Sequence, residues 1–396
     1  MSSPEIADLL RGAPLIDGHN DLLWALRLAR EGAGADWTLP DLTEPQPAFM
    51  TDLPRLGDGC VGGQFWSVYV PSHLPGHEAV TQTLEQIDAL TQLLFLYPDR
   101  LERARTADDV DRIAASGRVA SLIGVEGGQS IGSSLGALRI LAALGAGYLT
   151  LTHNDDTPWA DSATGTAPHG GLTRFGEEVV RELNRAGVLA DLSHVSPDTM
   201  RHALMVSEAP AFFSHSSARA LCDVTRNVPD DVLEQVRDTA GVVMVTFVPV
   251  FLTKEGAASN ADAWAEAGRL REAHPDDPRA VGEAMSAWFD AHPGPSATIS
   301  DVADHIDHVR AVAGIDHIGI GSDFDGASMP EGLEDVSCYP ALFAELAERG
   351  YGPEDVQKIA GRNVLRVMRE AERVAERLQR ERPPSLATIE ELDDPA

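Results

Sequence analysis

The segment Pro14-Leu15-Ile16-Asp17-Gly18-His19-Asn20-Asp21 reads as a short apolar strand that breaks into a His-x-Asp pair. Side chains two apart on a strand point to the same face, so His19 and Asp21 can grip one cation. An imidazole nitrogen and a carboxylate oxygen suit zinc or a similar divalent ion. Taken alone, such a pair is more often only a polar strand end. Its weight comes from recurrence further along the chain.

Seven later stretches read as strands: 63–70 (GQFWSVYV), Val119–Glu126 (VASLIGVE), 147–153 (GYLTLTH), 188–194 (VLADLSH), 209–215 (APAFFSH), 241–248 (GVVMVTFV) and 317–323 (HIGIGSD). They are β-branched or aromatic runs bounded by Gly and Pro. Helical spacing separates most of them. Val80, Leu84, Ile87, Leu90, Leu93 and Leu94 predict a helix over 77–97. Thr106, with Asp109 three residues on, predicts a shorter one. Further helices are expected at Leu135–Leu144, 177–186, 230–239 and 299–313, and one that Ser196-Pro197 opens with a cap and a first-turn proline. Eight apolar strands alternating with helices are the pattern of a closed (β/α)8 TIM barrel. An open doubly wound sheet is the alternative. No Gly-rich dinucleotide fingerprint follows an early strand, and metal-type residues on several strand ends require those ends to converge.

The chain is expected to be one barrel domain over residues 1–382, with a helical insertion around 249–298 and an acidic, loosely held tail at 383–396. Residues 36–62, rich in Pro, Gly and Asp, read as a long loop. A net charge of −31 excludes the basic patches that nucleic acid and anionic membranes require. Cys60, Cys222 and Cys338 are too far apart for a CxxC motif and odd in number, which fits a reducing compartment. No run is apolar enough for a signal peptide or a membrane span. A cytoplasmic protein is the expectation.

In a barrel the strand ends carrying His19 and Asp21, Glu126, His153, His194, His215 and Asp323 meet on one rim, where active sites of this fold sit. These residues suffice for two metal ions, and two ions need a bridge. The only lysines, Lys254 and Lys358, are not at strand ends, so a carbamylated lysine is not available. The bridge falls to Glu126, which leaves His19 and Asp21 on one ion and His194 and His215 on the other. His169 and His202 read as surface or turn residues, and Asp17, Asp155 and Asp156 as polar neighbours of the rim. Trp24, one turn beyond Asp21, and Trp66, on the second strand, are the two large aromatics that could wall the substrate pocket, and Trp24 is the candidate retained.

The chain resembles the membrane (renal-type) dipeptidase family, metallopeptidases of the amidohydrolase superfamily. The matching segments are IDGHND (16–21), GQFWS (63–67), GVEGG (124–128), LTHN (151–154), DLSHV (191–195), FSHS (213–216), RNVP (226–229) and GSDFDG (321–326), in the family's order. The resemblance implies two Zn2+ per chain, held by His19, Asp21, Glu126, His194 and His215, with a bridging hydroxide as nucleophile. It implies substrate roles for His153 and Arg226, a proton-handling role for Asp323, tolerance of a C-terminal D-residue, and homodimers. A fork such as Arg226 suits a C-terminal carboxylate. Asp323 is preferred over Asp325 because it falls on the last strand position. Free dipeptides are the expected substrates. A small N-acyl amino acid or lactam is the alternative for the same barrel, and a non-catalytic metal-binding protein is the rival from another class.

Overall fold

The computed structural model describes residues 3–34, 38–275, 277–292, 294 and 297–393. Parts of the expected loop at 36–62, of the insertion and of the tail lie outside them. Among the described residues nine parallel strands form one sheet: β1 (Leu15–Asn20), β2 (Val61–Tyr69), β3 (Leu101–Arg103), β4 (Val119–Glu126), β5 (Ala146–Thr150), β6 (Leu189–Asp191), β7 (Phe212–Phe213), β8 (Val242–Val245) and β9 (Ile318–Ile320). β1 pairs with β2 on one side and β9 on the other, and β2 pairs with β4 from Gly63↔Ala120 to Tyr69↔Glu126. That last ladder closes a (β/α)8 barrel and removes the open-sheet alternative. β3 pairs with β4 outside the ring. It was not foreseen, because three residues reading LER carry no apolar run.

The barrel interior follows from the two-residue period. Leu122 and Gly124 share the face of Glu126, and Phe65 shares the face of Ser67. Phe65, Tyr148 and Phe212 meet there with ring centroids 5.2–6.1 Å apart. They plug the barrel beneath the site. Gly18 sits where two strands touch, since a Cβ there would overlap the carbonyl of Ser214 and lie 2.6 Å from Met244 Sδ.

The foreseen helices stand close to their expected bounds, at Gly76–Leu96, Leu135–Leu144, Arg174–Ala186, Asp230–Asp238 and Ile299–Val312. Ser196 Oγ accepts from Thr199 N at 3.1 Å, and Thr106 Oγ1 accepts from Asp109 N at 3.1 Å. The Asp109 carboxylate reaches the Arg105 amide at 3.1 Å, one residue ahead of the cap. The stretch read as a long loop contains a helix at Leu53–Asp58, which Asp52 caps through Arg55 N at 2.9 Å. Between β8 and Ile299 the chain builds two helices, Lys254–Ala273 and Pro278–Ala291. The tail departs from the expectation of loose chain. Ile389–Asp393 is a short helix, and Asp393 accepts from Thr173 Oγ1 at 2.7 Å and Phe175 N at 3.1 Å, so its charge caps the helix it rests on. Among the described residues no helix is long and apolar enough to cross a membrane.

Candidate metal centre and substrate pocket

Only Glu126 stands on the last residue of its strand. His19 lies inside β1 and Asp21 directly after it. His153, His194, His215 and Asp323 lie two or three residues past their strands, not on the last strand position as the apolar runs suggested. The reason is local. His194 and Asp323 adopt φ of +66° and +71°, left-handed conformations that end a ladder and are stored most often at functional sites. Asp325 also has positive φ, at +65°. The preference for Asp323 stands on different ground: its carboxylate lies 3.9 Å from His19 Nε2, while Asp325 accepts from the Met50 amide at 2.7 Å and faces away.

Glu126 is the centre. Its Oε2 lies 3.4 Å from His19 Nε2, which also has Asp21 Oδ2 at 3.3 Å and Asp323 Oδ1 at 3.9 Å. Its Oε1 lies 3.2 Å from His194 Nε2, 3.6 Å from His153 Nε2 and 3.7 Å from His215 Nε2. One carboxylate thus faces two clusters of donors. Ser67 Oγ donates to Oε2 at 3.0 Å and fixes its orientation. Three overlapping triads have ligand atoms within 4.8 Å of one another: His19, Glu126 and His215; Glu126, His153 and His194; His19, Asp21 and Asp323. His153 is as close to Glu126 as His215 is.

Hydrogen bonds behind the imidazoles set which nitrogen faces inward. The Tyr148 hydroxyl donates to Gly18 O at 3.2 Å, so it accepts from His19 Nδ1, 2.8 Å away. Ser214 donates to Asp191 Oδ2 at 2.6 Å and therefore accepts from His215 Nδ1 at 2.7 Å. Both histidines present a bare Nε2 to Glu126. His194 Nε2 stands 3.0 Å from His215 Nε2, and His19 Nε2 is buried with no hydrogen-bond partner. Lone pairs converging on buried space with carboxylates beside them are a donor set for cations.

The charges agree. Burial, joined by Arg226 and neighbouring imidazoles, holds His194 and His215 well below the usual range, so they are neutral as ligands must be. Burial also lowers His153. Burial opposes ionisation of Glu126, yet His19 and His153 outweigh it and hold that carboxyl well below its usual range. At His19 burial is outweighed by Tyr148, Glu126 and Asp21, a field that favours a cation at Nε2. Asp323 is pushed up by burial, with Asp21 and Glu126 adding to the effect against His19.

A cavity of about 360 Å³ opens above this floor, lined by Asp21, Glu126, His153, His194 and Asp323 and walled by Trp24, Tyr69, Arg226, Val248, Phe251, Asn260 and Trp264 among others. Trp24 meets Tyr69 edge to face at 4.9 Å, whereas Trp66 is buried in the core. Arg226 is 3 % exposed. It donates to Ser216 Oγ and His215 O at 3.3 Å each, lies 5.2 Å over the Phe251 ring, and ion-pairs with no carboxylate among the described residues. Burial lowers its pKa to about 10, which leaves it charged at neutral pH.

The segments read as polar neighbours turn out to be struts. Asp17 accepts from Ser322 N, Ser322 Oγ and Gln64 Nε2, each at 2.8 Å, and ties β1, β2 and the end of β9 together. Asp156 holds the 162–166 loop through Ser162 N and Thr166 N at 2.7 Å each, and Asp155 accepts from Ser72 Oγ at 2.5 Å. His202 accepts from Leu172 N at 3.2 Å, and His169 meets Thr157 O at 3.2 Å.

The model of the membrane dipeptidase family, peptidase family M19, matches residues 4–382. The chain belongs to that family, and so to the metallopeptidases. It is 41% identical to dipeptidase 3 of Mus musculus over 375 residues, 93% of this chain and 66% of that protein. It thus spans about two thirds of that relative's length. Among solved structures, the probable dipeptidase PvdM from Pseudomonas aeruginosa superposes with a TM-score of 0.80 at 26% identity, over 94% of this chain and 99% of that one. A metallopeptidase from Rhodobacter sphaeroides, liganded with a phosphinate mimic of the dipeptide L-Ala-D-Ala, superposes with a TM-score of 0.73 at 26% identity, over 91% and 99% of the two chains. The phrase-by-phrase resemblance read from the sequence is thus a family membership that extends over nearly the whole chain.

Proposed function

We propose that this member of the family hydrolyses the peptide bond of free dipeptides, including L-Xaa-D-Xaa, with two zinc ions. The observation that carries the reading is Arg226: a buried guanidinium, without a carboxylate partner among the described residues, lines the same cavity as Glu126. A buried charge calls for an ionised partner, and a planar fork suits a carboxylate. A substrate held there by its C-terminal carboxylate is a short one.

His19 and Asp21 would hold one ion, His194 and His215 the other, and Glu126 would bridge them, because its two oxygens face these two groups. The nitrogen and oxygen donor set favours zinc. When bound, such a pair supplies a water acidic enough to attack at neutral pH and a pull on the carbonyl oxygen. The chain's own residues do the rest. Arg226 orients the substrate through its carboxylate. His153, neutral and facing the cavity, donates to the oxygen on which charge develops. Asp323 takes the proton that the attacking water loses and returns it to the leaving nitrogen as the C–N bond breaks. The L-Xaa-D-Xaa part of the proposal draws support from the related Rhodobacter sphaeroides enzyme, whose bound mimic has that stereochemistry.

The test is turnover of L-Xaa-L-Xaa and L-Xaa-D-Xaa dipeptides by metal-analysed protein, with chelated enzyme, C-terminally amidated dipeptides and N-acetyl amino acids as controls. Two zinc ions per chain, loss of activity on chelation and only poor cleavage of the amides are expected. N-acetyl amino acids outperforming dipeptides would overturn the substrate assignment.

A further inference from the structure

The helix Lys254–Ala273 belongs to no barrel repeat, and it buries only Gly256, Ala263 and Leu270. Most of it is a solvated rod. Its start is nonetheless fixed tightly. A Cβ on Gly256 would overlap the Pro249 carbonyl and lie 2.9 Å from Val250 Cα, and Thr253 Oγ1 caps the first turn through Gly256 N at 2.9 Å. Pro249 and Val250 immediately precede Phe251, whose ring lies under the Arg226 guanidinium and whose carbonyl accepts from Asn227 Nδ2 at 2.8 Å. The helix therefore projects from the Arg226 side of the pocket. Asn260 and Trp264, four residues apart, share one face of it, and both line the cavity. Trp264 remains 37% exposed, a large aromatic that the fold does not use as core.

We propose that Trp264 and Asn260 form, with Phe251, the subsite for the side chain of the substrate's C-terminal residue, and that it selects bulky apolar and aromatic side chains. The inference rests on the dipeptide reading, since Arg226 must hold the adjoining carboxylate. A side chain leaving the carbon next to that carboxylate is delivered to the wall beside Arg226. That wall consists of a phenyl ring, an indole and the amide of Asn260, so burial against it rewards apolar area. The N-terminal side chain is left the part of the lining formed by Trp24 and Tyr69, which pack edge to face.

The experiment compares kcat/KM on Ala-Gly, Ala-Ala, Ala-Leu and Ala-Phe, and on the mirrored Leu-Ala and Phe-Ala, for the zinc-loaded parent, Trp264→Ala, Asn260→Ala and Trp264→Phe. The expected result for Trp264→Ala is a loss of about 10- to 100-fold on Ala-Leu and Ala-Phe, carried mainly by KM, and a several-fold smaller loss on Ala-Gly and Phe-Ala. Trp264→Phe should recover most of it, and Asn260→Ala should change the order of preference among C-terminal residues only. An unchanged profile, a uniform loss across the panel, or a loss that follows the N-terminal side chain would overturn the assignment while the dipeptide reading stands. A zinc-loaded parent that cleaves none of these dipeptides would overturn both.

Discussion

The Tyr148 hydroxyl stands 2.8 Å from Nδ1 of His19, and among the described residues it is the only hydrogen-bond partner of that nitrogen. Because the same hydroxyl donates to Gly18 O, it holds His19 in the tautomer whose Nε2 is bare. Tyr148→Phe keeps the ring against Phe65 and Phe212 and removes only the hydroxyl's two hydrogen bonds, to His19 Nδ1 and Gly18 O. Zinc affinity should fall by about 10- to 100-fold, read by competition with a chelator of known affinity. Unchanged affinity would reduce Tyr148 to a packing residue.

Gly326 has no room for a side chain. A Cβ there would overlap Asp21 Oδ2 and lie 2.6 Å from Asp323 Oδ1. Gly326→Ala should therefore push both carboxylates out of place while leaving the barrel core alone. A displacement of this kind costs about 100-fold in kcat. Steady-state kinetics alongside thermal unfolding check it, and turnover at the parental level would show that the turn relaxes freely.

The barrel and the floor of the site were legible because both rest on local signals. Apolar β-branched runs mark strands, and a His, Asp or Glu at the end of six of the eight runs marks the rim. Tyr148, Ser67 and the Asp191–Ser214 pair were missed, since what they do depends on a neighbour across the barrel: Ser67 is 59 positions from Glu126 and Tyr148 is 129 from His19. Nothing in the alternation of GYLTLTH distinguishes an interior tyrosine that packs from one that orients a ligand. Asn260 and Trp264 were hidden differently. Their helix reads as solvated, and only its attachment beside Phe251 brings two of its residues to the cavity. The strand ends were placed too late because positive φ at His194 and Asp323 is a backbone property that residue type does not announce.

His305 ties two loops of the pocket wall together. Its Nδ1 accepts from Ala218 N at 2.9 Å, so Nε2 carries the proton and donates to Leu252 O at 2.9 Å. Burial lowers its pKa below the ordinary 6.5, against the Leu252 hydrogen bond and with His308 assisting. Above that ordinary value the residue is neutral in both folded and unfolded chains and contributes no pH dependence. As the pH falls through it, the unfolded chain takes up a proton that the folded one resists, and stability declines until the lowered folded value is reached. The slope contributed is at most about 1.4 kcal/mol per pH unit. Denaturant unfolding of metal-free protein between pH 7.5 and 5.5 should show that slope diminished in His305→Gln. Identical slopes would place the acid sensitivity elsewhere.

Arg226 is the sharpest test of substrate length. Its guanidinium is buried against Phe251 and, among the described residues, has only neutral acceptors, Ser216 Oγ and His215 O, at 3.3 Å. Long, neutral contacts leave donors available to a ligand, and the charge survives burial because its pKa, though lowered, is about 10. Arg226→Met keeps apolar contact with Phe251 and removes the charge. A substrate carboxylate would then be buried without its partner, which costs about 3–5 kcal/mol. That is about 10²- to 4 × 10³-fold in kcat/KM for free dipeptides. Amidated dipeptides lack the carboxylate, so their poor turnover should hardly change, and the gap between the two substrate classes should close. Zinc content should stay at the parental level, since Arg226 is not among the converging donors. If the variant instead lost equally on acids and amides, Arg226 would serve the fold of the pocket and not the capture of a C-terminal carboxylate.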